Sequence, residues 1–542
     1  MTRNPAFHPL FRVFVISALL MVTGWAYGQQ PPDVVSSDSN ANTAMGTAAL
    51  FSLSTGVNNT AAGYQALERN TTGSQNTASG VYALQFNTIG YDNTASGYQA
   101  LDNNTTGSQN TASGVYALLD NTTGYENTAS GANALLSNGT GYENSASGAY
   151  ALNSNASGYD NTASGAYALF TNKSGAYNTA SGYQALYSNM IGISNTASGT
   201  KALLSNTTGS NNTASGTNAL YFNTTADSNS AFGFAALYSN TTGIQNSALG
   251  REALHENVSG NNNMAFGYQA LYANISGSYN TAVGTYALVN ATGDFNNAQG
   301  YSALFNTTTG SVNTAQGYQA LFSNTTGTHN IGIGYQAGYY PTIGSYNIDI
   351  GNYGAAADSG VLRIGDPNAQ TAAFLAGVAH TNVTGGVNVV VNSNGQLGIA
   401  TSSRRYKEDI QPIAAASERL MQLRPVSFRY KQPGAAGETP VQYGLIAEEV
   451  AEVFPELVVY NEQGQPEAVA YQVLPALLLN ELQREHALNQ THTAELARQR
   501  EQIAAQASQL EEVSELRRQL AELRELLVTL KTHAEDSRVA MR

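Results

Sequence analysis

The sequence predicts a mainly β protein: a β-solenoid or β-roll of 17-residue repeats, a β-rich neck, a small mixed α/β unit and a C-terminal coiled coil. Three observations carry this. The motif N-T-A-S-G-x-x-A-L-x-x-N-T-T-G recurs at a fixed period over more than half of the 542 residues. Charge, proline and helix-forming residues return abruptly at Ser402. Apolar residues spaced by three, four and seven run through the last stretch.

The first element, residues 1–28, reads as a signal peptide. Arg3 and Arg12 form a basic start, Val13 to Val22 an apolar run, and Ala26-Tyr27-Gly28 a small-residue cleavage site. The apolar run is short for a membrane span, although a retained N-terminal anchor is the alternative. No later stretch is long and apolar enough to cross a membrane, so the mature chain is expected without a span, secreted or at a bacterial cell surface. Residues 29–41 are a linker. The formal charge of −14 and the absence of clustered Lys and Arg exclude nucleic acid as a partner. With no cysteine, disulfides, thiolate metal sites, cysteine nucleophiles and lipidation at Cys are excluded as well. No cofactor or metal is expected.

Residues 42–340 form the repeat. Its first glycine falls at Gly46 and then every 17 residues through Gly63, Gly80, Gly97 and onward to Gly284; one step of 16 reaches Gly300, and Gly317 and Gly334 follow at 17. A period of 17 is too short for a helical hairpin. It fits one coil of two short strands and two turns, with Gly at the corners where φ is positive. The Ala-Leu pair, as in Ala83-Leu84, Ala100-Leu101 and Ala117-Leu118, points inward and stacks on its copies. The leading Asn, as in Asn76, Asn93 and Asn110, stacks into an amide ladder. At ~4.8 Å per coil the stack is a rod on the order of 85 Å long. A disordered Asn/Thr/Gly-rich linker, the alternative, has no need of Gly and Ala-Leu at constant positions.

One coil buries little beyond an Ala and a Leu, against the entropy of ordering 17 residues. Chains side by side would bury a second face, so association is expected, its number left open by composition. The abundant tyrosines, among them Tyr64, Tyr98, Tyr183, Tyr268 and Tyr318, suit cross-coil packing better than glycan stacking. The many N-x-T sequons follow from the repeat itself. These repeats resemble the head repeats of trimeric autotransporter adhesins and of tail-fibre-like surface proteins, which form trimeric β-rolls. Those adhesins end in a membrane β-barrel, whereas this sequence ends in a charged helix.

Residues 341–401 lose the period. Tyr346–Ile350, Val361–Ile364 and Val387–Val391 read as strands of a β-rich neck. Residues 402–479 read as a mixed α/β unit, with a helix over Ile413–Leu423, strands over Pro425–Tyr430 and Val441–Ile446, a short helix over Ala447–Val453 and an extended piece at Val469–Tyr471. A long helix starts near Leu474, and residues 480–542 form the coiled coil, whose seam includes Leu496, Ile503, Leu510, Val513, Leu516, Leu520, Leu523, Leu527 and Leu530.

The segments S-S-R-R-Y-K-E-D-I from Ser402, L-R-P-V-S-F-R-Y, Y-G-L-I-A-E-E-V, F-P-E-L-V and V-A-Y-Q-V-L-P-A-L-L-L-N-E-L resemble, in order and spacing, the intramolecular chaperone auto-processing domain. This is the peptidase S74 family, found at the C-terminus of phage tail spikes and endosialidases and in myelin regulatory factor. The resemblance implies a module that trimerises, helps the preceding fibre to fold and then cuts itself away with a Ser/Lys dyad. By motif position Ser402 is the nucleophile, Lys407 the general base and Thr401-Ser402 the cleaved bond. A Ser–Lys pair is chemically coherent, because a weak hydroxyl nucleophile needs a base and lysine serves as one where its charge is disfavoured. An offset of five shares a face on neither helix nor strand, so a turn is required between the two. Ser403, where many members carry Asp, is the alternative nucleophile, four residues from Lys407 and on one helical face with it.

Two functions follow. The first is an exported homotrimeric fibre or adhesin-like surface protein, binding surface glycans or a host surface, whose single enzymatic act is one self-cleavage per chain. The alternative is an extracellular polysaccharide-binding or -degrading protein, since endosialidases share the C-terminal module. Glycosidases need a set pair of carboxylates, and Asp92, Glu126, Glu143 and Asp160 share one loop slot in different repeats. A phage tail fibre is disfavoured by the leader.

Overall fold

The computed structural model describes residues 36–540 apart from 376–377, 379–383, 393, 432–438 and 462; the expected leader lies outside the described residues. The chain divides into two units, Met1–Thr381 and Asn382–Arg542.

The first unit is a β-solenoid. Among the described residues a single 21-stranded sheet runs through it. Strand β1 (Ser36–Ser37) pairs antiparallel with β2 (Thr43–Met45). From β2 onward each three-residue strand lies parallel and in register on the strand one coil later, Thr77 on Thr94 and Ala78 on Ala95, as far as β21 (Leu362–Ile364). The ladder therefore continues past residue 340. Ile348–Ile350 and Leu362–Ile364, read from sequence as neck strands, extend the same sheet.

Each coil has one strand, not the two expected. Ala83 and Leu84 are adjacent and both fully buried, whereas an extended strand sends neighbours to opposite faces. The chain breaks the alternation by placing Leu84 in the left-handed region at φ 54, with Tyr82 at φ 61. That conformation costs a non-glycine residue about 1–2 kcal/mol, an amount that full burial of a leucine, about 1.5–3 kcal/mol, offsets. This leg still bonds along the stack, since the Leu84 N–H donates to Ala100 O at 3.0 Å and the Phe86 N–H to Asp102 O at 2.9 Å.

The core holds more than Ala-Leu. The central strand alanine (Ala78, Ala95, Ala112) is buried in coil after coil, as are two asparagines per coil. In the expected ladder, the backbone N–H and Nδ2 of Asn93 both donate to Asn76 Oδ1 at 3.1 Å. Reasoning from sequence missed a second ladder, built from the Asn of the N-T-T-G segment: Asn104 Nδ2 donates to Asn87 Oδ1 at 2.7 Å. Both ladders end on one carbonyl, Gly107 O, which accepts from Asn93 at 2.9 Å and Asn104 at 2.8 Å and so ties the coil shut. The coil with the 16-residue step breaks the second ladder. Ala291 stands where an Asn would, and Asn274 Oδ1 is left without a donor. The Asn of the N-T-T-G segment, as in Asn104 and Asn121, is buried, so that sequon offers no exposed acceptor for glycosylation.

Asn127→Ala therefore removes the acceptor of two donors, the N–H and Nδ2 of Asn144. We expect a loss of about 2–4 kcal/mol, seen as a lower urea midpoint. The exposed neighbour change Thr128→Ala should stay within about 0.5 kcal/mol of wild type.

In the second unit, Val390–Val391 pairs with Leu397–Gly398, a shorter strand than the expected Val387–Val391. Val426–Phe428 pairs antiparallel with Gln442–Gly444, and Val458–Tyr460 with Pro466–Val469. The segment read as an amphipathic helix is a 3-10 helix, Ala414–Gln422. Helix α1 is Ala447–Val453, ended by Phe454 and Pro455, and α2 is Leu474–Val539. A small core gathers Val450, Phe454, Leu457, Val469 and Leu477, flanked by Leu420, Leu423 and Leu445.

Candidate functional site

The segment carrying the candidate dyad turns just after Ser403. Ser403, at φ −67 and ψ 138, caps a single 3-10 turn, Arg404–Tyr406. Its hydroxyl accepts from the Arg405 N–H at 3.4 Å and from Arg405 Nε at 3.3 Å. The Arg405 guanidinium lies 5.6 Å from the Tyr406 ring centre. Lys407 closes the turn, its N–H donating to Arg404 O at 3.2 Å. A turn thus stands between Ser402 and Lys407, as their five-residue offset requires. The helical face that would have joined Ser403 to Lys407 is absent, because the 3-10 turn is only three residues long.

Thr401, Ser402 and Lys407 are exposed, and Ser403 is half-buried. Among the described residues no hydrogen bond joins Ser402 or Ser403 to Lys407. The unit's own residues place Ser402 and Lys407 on either side of one turn and leave both exposed.

What the second unit does build is a clasp between the 3-10 helix and the start of α2. Ser417 is fully buried, and its hydroxyl donates to Glu481 Oε1 at 2.5 Å. Asn480 Nδ2 reaches both Ser417 Oγ at 2.6 Å and Ala414 O at 2.8 Å. Arg484 NH1 donates to Glu481 at 3.0 Å, and the same guanidinium pairs with Glu418. The Ser417 hydroxyl first, with Arg484 adding to it, holds the Glu481 carboxyl below the usual carboxylate range. Sequence reasoning missed this cluster: Asn480 and Glu481 lie in the V-A-Y-Q-V-L-P-A-L-L-L-N-E-L segment, but Ser417, more than 60 residues away, belongs to no motif that points to them. Beside it lies a cavity of about 630 Å³ lined by Leu420, Met421, Leu423, Tyr443, Leu445 and Leu478. The Tyr471 hydroxyl accepts from the Leu445 N–H at 2.8 Å, fixing the Y-G-L-I strand end beside the entry to α2.

The solenoid's surface features separate into two kinds. Tyr125, Tyr142 and Tyr159 stack with centroids 4.9 Å apart and planes within 6°. Rings stacked this way cover one another's faces, so the ladder packs coils together and leaves little face for a sugar. Glu126, Glu143 and Asp160 follow on successive coils beside this ladder, and a hydrogen bond with Asp160 raises the Glu143 carboxyl above its ordinary value. Glu126 and Glu143 are exposed and Asp160 half-buried.

Residues 402–459 match the model of the Peptidase S74 family, described as chaperone of endosialidase. No curated protein and no solved structure matches the chain. The matched domain follows a β-solenoid of 17-residue repeats, the organisation of a tail-spike- or fibre-like protein with an intramolecular chaperone domain. Among the described residues no helix is long and apolar enough to cross a membrane.

Proposed function

We propose that this chain is the subunit of an exported, homotrimeric surface fibre whose C-terminal domain gathers three chains and then cuts itself off at Thr401-Ser402. The observation that carries the reading is helix α2. Of its 66 residues only Leu477 and Glu481 are buried. Val513, Leu516, Leu520, Leu523, Leu527 and Leu530 stand exposed at the spacing of a coiled-coil seam. Such a seam calls for matching helices, and other copies of the chain supply them. A C-terminal knot also sets register, which is weakly specified among near-identical coils.

In the proposed cleavage Ser402 Oγ adds to the carbonyl carbon of Thr401 while Lys407 takes the hydroxyl proton. The proton passes to the Ser402 nitrogen as the C–N bond breaks, leaving an ester. Water hydrolyses the ester to a Thr401 carboxylate and a free Ser402 amine. Lys407 acts as base only where its charge is disfavoured. Its exposure in the single chain fits a site that becomes dry on assembly. The alternative, polysaccharide hydrolysis, rests on the Glu126–Glu143–Asp160 row, which lies on exposed loops beside a tyrosine ladder closed to sugar stacking.

The test uses the uncut Ser402→Ala chain. Native mass spectrometry is expected to give three copies of the chain. Adding Leu516→Asp and Leu523→Asp, which place charge in the seam, is expected to give single chains. A single-chain mass without the two aspartates would overturn the reading.

A further inference from the structure

The C-terminal end of the solenoid departs from the repeat chemistry. The inward position of the strand, Ala315 and then Gly332 in the two preceding coils, is occupied by Asp349 and, one coil later, by Arg363. Asp349 is 1% exposed, and neither of its carboxylate oxygens has a hydrogen-bond partner among the described residues. Its walls are glycines. A Cβ at Gly338 or Gly354 would stand 3.0 or 3.2 Å from Oδ2. Two charged groups act on it from the closing coil. Arg363 is committed to Asp358, through Nε at 2.6 Å and NH2 at 2.8 Å, and Asp358 also accepts from the Ala355 N–H at 2.8 Å. The guanidinium is thus spent on the other carboxylate, and Asp349 faces the core alone.

This last coil is short, with Ile348 opposite Leu362. Its bonds to the coil beneath include the Ile348 N–H to Val361 O at 2.9 Å, the Gly338 N–H to Asn352 O at 2.8 Å, the Tyr340 N–H to Tyr353 O at 3.1 Å, the Gly360 N–H to Ser345 O at 2.8 Å and the Gly365 N–H to Ile350 O at 2.8 Å, and the Asn347 side chain bonds the Val361 N–H and Asp358 O, each at 3.1 Å. A buried carboxylate that must ionise without a partner is costly, and here it lies under the last coil of the ladder, whose strand pairs on one side only among the described residues.

We propose that residues 351–365 form a pH-sensitive cap on the solenoid, closed while Asp349 carries its proton and loosened when Asp349 ionises. Burial first, then the negative charge of Asp358, pushes the Asp349 carboxyl up to about 6, with Arg363 acting in the opposite sense. In the opened coil the group returns to an ordinary value near ~3.9. Because the closed-state value is the higher one, its stabilisation is complete below ~3.9 and is lost as pH rises through about 6. Between pH 5 and pH 8 the two values give a change of about tenfold in the opening equilibrium.

Hydrogen exchange on the full chain, read by mass spectrometry at pH 5 and pH 8 and scaled for intrinsic rates, tests this. Peptides within 346–365 should lose protection about tenfold at pH 8, while peptides within 77–215 stay level. Asp349→Asn should abolish the dependence. If the asparagine disturbs the coil already at pH 5, Asp349→Ala, the residue type of the neighbouring position Ala315, serves in its place. A level wild type, or a tenfold dependence surviving in the variant that keeps the coil closed, overturns the proposal.

Discussion

Chains carrying Ser402→Ala or Lys407→Ala are expected to remain whole, while the unaltered chain separates into a piece ending at Thr401 and a piece beginning at Ser402. The expected loss is at least about 1,000-fold in the rate of appearance of the 402–542 product, because nucleophile and base act as one unit. A gel time course reads the rate, and the mass of the small product identifies the cut bond. Lys407→Arg should be as inactive as Lys407→Ala, since a guanidinium does not give up its proton. Ser403→Ala is the discriminating control. Its hydroxyl caps the turn through Arg405, so its loss should slow cleavage modestly and leave the cut in place. Full cutting in Ser402→Ala with none in Ser403→Ala would move the nucleophile to Ser403; an uncut wild type would remove the peptidase reading and leave the chaperone reading standing.

The second large effect is expected at a single methyl group in the stalk. Gly114 has φ 139, a conformation open to glycine, and a Cβ there would lie 2.5 Å from Gly131 O and 2.7 Å from its carbonyl carbon. Both contacts are backbone of the next coil, which cannot turn aside. Gly114→Ala should cost about 4 kcal/mol or more, combining left-handed strain with a clash that only unstacking relieves. Coils interact only with their neighbours, so exchange protection should fall first in the coils on either side of residue 114. The other glycine of the repeat gives the contrast. Gly107 lacks the positive φ, and the chain itself carries alanine at the matching position, Ala226. There the stack yields: the Thr224 N–H to Thr241 O bond is 3.3 Å, against 2.9 Å for Thr207 N–H to Thr224 O one coil earlier. A Cβ at Gly107 would also press on the next coil, against Gly124 O, so Gly107→Ala is expected to destabilise through that contact, without the φ strain, and to be the milder change.

The periodic features were legible because each repeats its own evidence. The glycine corners, the inward Ala-Leu pair and the first asparagine ladder are wherever the period puts them, and the end of α1 follows from the proline stop at Pro455. The second ladder is equally periodic, yet N-T-T-G has the composition of a loop, and only the structure shows Asn87 and Asn104 fully buried. The single strand per coil was missed for a different reason. Adjacent buried residues at Ala83-Leu84 contradict a strand's alternation, and only a left-handed leucine, a conformation that propensity argues against, reconciles them.

At the candidate site, the family resemblance pointed to Ser402 and Lys407, while spacing asked for a turn between them and offered Ser403 as the alternative. The clasp of Ser417, Asn480, Glu481 and Arg484 was invisible, as was the isolation of Asp349, because both depend on groups brought together from distant or differently wound segments. What the sequence alone determined is the stacking: identical coils at a constant period can bury their apolar and amide groups only against copies of themselves, so the solenoid is implied by the repeat. What tertiary structure decided is how each coil winds, how the two ladders close on one carbonyl, and which charges at the solenoid's end find partners. Those outcomes are set by where backbone carbonyls and side chains meet across coils, a distance relation that no linear pattern records.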